Sequence, residues 1–95
     1  MVFEWDEVKR AANLAKHGID FLDAIQIWAP SAIDPAETRQ VGTETRHAAL
    51  GVIGGDKLII AVIYTERPDA RRIISARRAR RNERAAYTRV FGEGR

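Results

Sequence analysis

The run Leu58-Ile59-Ile60-Ala61-Val62-Ile63-Tyr64 constrains this chain more than any other segment. It is uninterruptedly apolar and rich in β-branched residues, which favours a buried strand. At seven residues it is far short of the roughly 20 that a membrane-crossing helix needs. Turn residues bracket it, Gly54-Gly55-Asp56 before and Arg67-Pro68-Asp69-Ala70 after. Strand-like segments lie beyond both turns, Arg46 to Ile53 upstream and Arg71 to Arg77 downstream. The spacing predicts an antiparallel hairpin from Arg46 to Thr65, extended into a meander by the third strand.

The flanks read as helical. Val2-Phe3-Glu4-Trp5 suits a short strand, and Asp6 then offers an N-cap with Glu7 near the positive helix end. Val8, Ala11, Ala12 and Ala15 recur at helical spacing as far as Lys16-His17, where Gly18 supplies a stop. Asp20 is a second N-cap, followed by Phe21, Ala24, Ile25 and Trp28 at i, i+3, i+4 and i+7, with Pro30 ending the helix. Trp5 and Trp28 read as core. From Ser31 to Thr45 the pattern specifies little: Ile33 and Val41 suit a short or irregular strand, and Pro35 suits an edge position. A last helix is expected from about Ala79 to Val90. The order β-α-α-β(3–4)-α over 95 residues predicts one α+β domain spanning 1–95, with helices packed on one face of an antiparallel sheet.

Charge is segregated along the chain. Residues 1–48 carry 5 Lys+Arg against 8 Asp+Glu, and residues 49–95 carry 11 against 5. Eight arginines fall between Arg67 and Arg84, opposed only by Asp69 and Glu83. Such a cluster suits a polyanion, and guanidinium forks grip phosphate bidentately and stack on bases. A solvated basic face and a dock for an acidic protein are the alternatives. The chain has no cysteine, so disulfides and thiolate metal sites are excluded, and a reducing cytoplasm is the expected setting. Charge by residue 4 argues against a usual signal peptide.

Several motifs, in order, carry a resemblance. Phe3-x-Trp5-Asp6-x-x-Lys9 is followed by Asn13-x-x-Lys16-His17-Gly18-Ile19-x-Phe21-x-x-Ala24. Then come Glu44-x-Arg46, Tyr64-Thr65-x-Arg67, Arg72-Ile73-Ile74-Ser75-Ala76-Arg77 and Glu83-Arg84-x-x-Tyr87. This set resembles the BrnT family, and the element order is similar to that of RelE-like ribonuclease toxins. The resemblance implies a toxin that cleaves RNA and inhibits translation. It also implies a ribbon-helix-helix antitoxin that silences the toxin and represses their shared operon, so that operator DNA is met only through the antitoxin.

Metal-free RNA cleavage needs a base near the ribose 2′-OH, an acid for the departing 5′-oxygen, and cations around the phosphorane. Arg77, at a strand end, is the leading candidate for clamping the scissile phosphate; its competing role is a salt bridge to Glu44 or Glu83. By strict alternation Arg77, Ser75 and Ile73 share one strand face, and Arg72 and Arg78 the other. Arg46 and Arg67 lie at hairpin ends that antiparallel pairing brings together. Glu44 is the candidate general base, provided a neighbouring arginine does not hold its pKa too low. His17 is either a cationic helix cap or part of a phosphate-facing cluster with Lys16 and Lys9, and His47 reads as a surface residue. Arg78, Arg80 and Arg81 suit RNA backbone contact, and Glu83 suits pairing with Arg80 or Arg84. Tyr64 and Tyr87 suit either base stacking or packing with a bonded hydroxyl.

No His-x-x-x-His pair, carboxylate cluster or phosphate-binding glycine loop is present, so no metal or other cofactor is expected. Two other classes share these features: a non-catalytic nucleic-acid-binding regulator using the same arginines, and a protein-interaction module with a basic face.

Overall fold

The computed structural model describes residues 1–29, 31–55 and 58–92. Its elements are β1 (Phe3–Glu4), α1 (Glu7–His17), α2 (Phe21–Ala24) running into a 3₁₀ turn (Ile25–Trp28), β2 (Ile33–Val41), β3 (Glu44–Ile53), β4 (Leu58–Glu66), β5 (Arg71–Arg78) and α3 (Arg81–Phe91). The five strands form one sheet in the order β1-β5-β4-β3-β2. Strands β2 to β5 are an antiparallel meander, and β1 adds to β5 in parallel. The α+β class and the hairpin expected from sequence are thus observed. Pro30 and Asp56, read as a helix end and a turn residue, lie outside the described residues.

The segment 31–45, whose pattern specified little, holds a nine-residue strand, β2. All its residues from Pro35 to Val41 are exposed, and it occupies the sheet edge that Pro35 suggested. Edge strands need no apolar alternation, because one margin is wet. The closing helix starts at Arg81 rather than Ala79. Ala79 is still extended and donates its N–H to the Ile59 carbonyl at 3.0 Å, prolonging the β4–β5 pairing.

The expectation that all helices share one face is corrected. Adjacent residues of the central strands serve two cores, because successive side chains point to opposite faces. Ala49, Ile60, Val62, Tyr64, Ile73 and Ala76 pack with Ile19, Phe21, Ala24 and Ile27 of the N-terminal helical segment. Leu50 and Ala61 pack with Tyr87 of α3 on the other face. This is why Leu58–Tyr64 is apolar throughout. Helix α3 covers only part of its face, and the remainder of that face carries the candidate site.

Helix α1 is also held differently from its apolar spacing. Val8 is 78% exposed, and Ala11, Ala12 and Ala15 are exposed too. The buried position is Asn13. Beyond the two residues paired with β1, the outer margin of β5 has no strand neighbour. The Asn13 amide takes that place, donating to the Ala76 carbonyl at 2.8 Å and accepting from the Ala76 N–H at 3.1 Å. Its second donor contact, to the Ile19 carbonyl at 2.9 Å, fixes the turn that Gly18 opens at φ 72°. Three backbone groups, the Ala76 N–H and carbonyl and the Ile19 carbonyl, are satisfied by this one side chain, and leaving such a group buried and unpaired costs about 1–3 kcal/mol. Arg10 then braces α1 to α2, donating from Nε and Nη2 to the Asp20 carboxylate at 2.8 and 3.0 Å.

The 3₁₀ turn lies directly on β3 at Gly51. A Cβ built on Gly51 would stand 2.4 Å from Ile27 Cβ. Gly51→Ala is therefore expected to lower stability by about 1–3 kcal/mol through overpacking. Chemical denaturation checks this, with an unchanged midpoint as the outcome that contradicts it.

Candidate functional site

The alternation within β5 decides which arginines share a surface, and it is not the simple alternation of the sequence. Ser75 pairs with Ile63 while Ile73 pairs with Tyr64, so Ile74 is an extra residue at a β-bulge. The bulge moves Ile73 into the same core as Ala76. It leaves Arg72 (opposite Thr65), Ser75 (opposite Ile63) and Arg77 (opposite Ala61) on the α3 face, with Arg78 (opposite Ile60) on the other. The predicted grouping is corrected on two counts: Ile73 leaves the face of Arg77, and Arg72 joins it. A two-residue period fails wherever an extra residue enters a strand, and nothing in Ile73-Ile74 advertises the insertion.

On the α3 face a groove is lined by Glu37, Arg39, Val41, Arg46, His47, Ala48, Ile63, Arg77 and Arg80. Strand register explains this gathering. Glu37 stands opposite Ala48, and Ala48 opposite Ile63, giving a small apolar floor across β2, β3 and β4. Arg39 stands opposite Arg46 on one side of that floor. Arg77 rises from β5, and Arg80 from the residue capping α3. Arg39 falls in the segment that sequence reasoning left unspecified, so the groove has a cation that the arginine cluster did not reveal.

Arg77 is fixed in place. Its Nη1 and Nη2 donate to the two Glu83 carboxylate oxygens at 2.8 and 3.0 Å. This is the Glu83 salt bridge anticipated as its competing role. The same Glu83 also accepts the Arg80 backbone N–H at 2.7 Å, so one carboxylate orients the guanidinium and caps α3. The pair is mostly buried, with side chains 17% and 12% exposed. The Arg77 bond, opposed by burial, holds the Glu83 carboxyl below its ordinary value, and Glu83 raises Arg77 in turn. Among the described residues the Arg77 Nε–H has no protein acceptor, and this edge remains for a ligand.

Glu44 is similarly engaged. Its Oε1 accepts from Arg46 Nε at 2.9 Å and its Oε2 from Arg67 Nη2 at 3.3 Å. The hairpin ends do bring Arg46 and Arg67 together, and Glu44 is what joins them. The Arg46 bond, against some burial and with help from the charges of Arg67 and Lys9, keeps the Glu44 carboxyl below its ordinary value. A carboxylate lowered in this way is a weaker base, and its geometry is that of a bracket for two arginines.

A second hollow, lined by Lys9, Ala12, Asn13, Lys16, His17, Ile74 and Ser75, lies where α1 meets the margin of β5. Ser75 faces Ile63 across the β4–β5 ladder, and Ile63 lines the first groove. The two hollows thus have lining residues on neighbouring strands, and Lys9, Lys16 and His17 belong to the second of them. His17 is the last residue of α1.

Other expected site residues lie elsewhere. Tyr64 is 2% exposed and on the opposite face. Its hydroxyl donates to Asp34, and burial together with that bond pushes the phenol well above its ordinary value. It has no surface for stacking on a base, because a tyrosine closing a core strand is covered by the helical layer. Arg78 and Arg81 are exposed, outside the groove lining. His47 is half-buried, with Nδ1 2.9 Å from Thr38 Oγ1 and its ring 5.3 Å from that of Tyr64.

The ion pairs framing the groove set its response to acid. Glu83 has a depressed pKa, so its contribution is complete above its unfolded value near 4.5 and is lost as pH falls through its lower folded value. Stability is expected to hold from neutrality to about pH 4.5 and to fall below it, with Glu83→Gln flattening that fall. Denaturant midpoints measured across this range test the point, and identical acid profiles for the two proteins would contradict it.

A family model described as "Ribonuclease toxin, BrnT, of type II toxin-antitoxin system" matches residues 5–83. No curated protein matches the sequence. The matched span begins just after β1 and takes in both hollows and the Glu83 that holds Arg77.

Proposed function

The chain belongs to the BrnT family of ribonuclease toxins of type II toxin–antitoxin systems, and we propose that it is an endoribonuclease that cuts RNA in the arginine-lined groove without a metal ion. On this reading the cleavage halts translation in the bacterial cytoplasm. A ribbon-helix-helix antitoxin binds the toxin, silences it and represses the shared operon, so operator DNA is met only through the antitoxin. The observation that carries the proposal is the convergence of Arg39, Arg46, Arg77 and Arg80 on one uncovered part of the sheet.

Cleavage by the ribose 2′-oxygen builds negative charge on the phosphorane oxygens. Preoriented cations lower that barrier most, because they need not reorganise as the charge grows. Arg77 meets this condition through its two bonds to Glu83, and Arg46 through its bond to Glu44. In this reading Arg77 and Arg46 hold the scissile phosphate, and Glu44 positions Arg46 and Arg67. Lys9, Lys16 and His17, in the second hollow, receive a neighbouring stretch of backbone. Arg67, Arg80 and Arg81 add grips on flanking phosphates, whereas Arg78, opposite Ile60 on the other face, does not share the groove. Among the described residues no three His, Asp or Glu side chains gather as a metal-binding group.

Arg77→Ala is expected to reduce cleavage by about 10²–10³-fold while weakening RNA binding far less, and a chelator is expected to leave the wild-type rate unchanged. Single-turnover cleavage and RNA titration of the purified protein measure both. Parallel losses of cleavage and binding would favour a nucleic-acid-binding regulator instead, and a rate restored only by divalent cations would overturn the metal-free route.

A further inference from the structure

We propose that Glu37 is the general base of the cleavage step, the catalytic residue that takes the proton from the ribose 2′-hydroxyl. The inference rests on the ribonuclease reading above and deepens it. Three carboxylates stand on or beside the groove, and their bonding separates them. Glu44 spends both oxygens on Arg46 and Arg67. Glu83 spends both on Arg77 and accepts the Arg80 N–H as well. Glu37 makes one ion pair among the described residues, to Arg39 at 3.1 Å, and its other oxygen has no protein donor there. Both members of that pair are largely exposed, at 52% and 69%. Such a pair contributes little to stability and is readily rearranged by a ligand.

The placement of Glu37 is otherwise unfavourable. It lines a groove with four arginines, where its charge repels the phosphodiester that those arginines attract. Its field also reaches Arg77, reinforcing the cationic form already held by Glu83. The backbones of β2 and β5 are three strand spacings apart, on the order of 14 Å. Glu37 and Arg77 enter the space from opposite walls, over the low floor of Ala48 and Ile63. A phosphodiester seated on that floor meets the free edge of Arg77 on one side and the free oxygen of Glu37 on the other. An acceptor facing a phosphate clamp is the arrangement that in-line attack by a neighbouring hydroxyl requires.

The step balances without a co-reactant. Glu37 accepts the 2′-hydroxyl proton as the 2′-oxygen bonds to phosphorus. The bond from phosphorus to the 5′-oxygen breaks, and that oxygen takes a proton from water. A 2′,3′-cyclic phosphate and a 5′-hydroxyl end result, and Glu37 returns its proton to solvent.

Glu37→Gln separates this role from that of a surface charge, because the two predict opposite changes. Removing a negative charge from a cationic groove tightens or preserves RNA binding in either case. If Glu37 is the base, the single-turnover rate nonetheless falls by about 10²–10⁴-fold, the acid limb of the pH–rate profile disappears, and Glu37→Asp retains more activity than Glu37→Gln. Asp69→Asn, the same charge change in the β4–β5 turn outside the groove, leaves rate and affinity as they were. A Glu37→Gln protein that cleaves as fast as wild type, or faster, overturns the assignment while leaving the ribonuclease reading intact. Failure of the wild-type protein to cleave RNA at all overturns both.

Discussion

The Asp34 carboxylate ties together elements that sequence order keeps apart. It accepts from Trp28 Nε1 at 2.7 Å, from Arg71 Nη1 at 2.5 Å and from the Tyr64 hydroxyl. The 3₁₀ turn, the edge strand β2, the central strand β4 and the inner strand β5 all converge on it. Burial alone would raise the Asp34 pKa, but bonds from Tyr64, Arg71 and Trp28 outweigh burial and hold the carboxyl below its ordinary value. Arg71 adds a planar contact, its guanidinium carbon 4.4 Å from the Tyr64 ring centre and 5.3 Å from that of Trp28. With its polar atoms satisfied, this cluster anchors the start of β2, and an irregularity between Ile33 and Glu37 then sets the register that carries Glu37 and Arg39.

The two sides of the sheet are covered unequally. The N-terminal helical layer buries aromatic and aliphatic side chains against one side, where Phe21, Ala24 and Ala49 have no exposed surface. Helix α3 covers only Leu50, Ala61 and their neighbours on the other. Its short reach leaves the arginines open to solvent, and its N-terminus supplies Glu83 to hold one of them. A cluster of guanidinium groups under a full helical layer would bear a large desolvation cost, so partial cover is what allows them to share a groove.

The sequence revealed those parts whose signals are local. The caps Asp6, Asp20 and Gly18 act over three or four residues, and the apolar run of β4 with its flanking turns determines the hairpin. Asn13 was visible as part of a motif but not as a strand substitute, because its partner Ala76 is 63 residues away. Asp34, Glu37 and Arg39 were missed together: an exposed edge strand carries no apolar alternation, and their partners are set by cross-strand register. The arginine cluster pointed to the region that contributes Arg77 and Arg80 to the groove, but not to Arg39 or Arg46. Which arginines share a surface was not legible, because it turns on one bulged residue in β5.

That bulged residue has a genetic corollary. Residues 71–73 and residues 76–78 face their correct neighbours only because one residue is held out of register between them. A substitution at Ile74 preserves this phase, but loss of a single codon there reverses one half of β5 relative to the other. Either Arg71 would turn away from Asp34, or Arg77 would turn into the apolar layer. Length in this strand is therefore constrained more tightly than residue identity, and descendants of this gene can vary Ile74 far more freely than they can lose it.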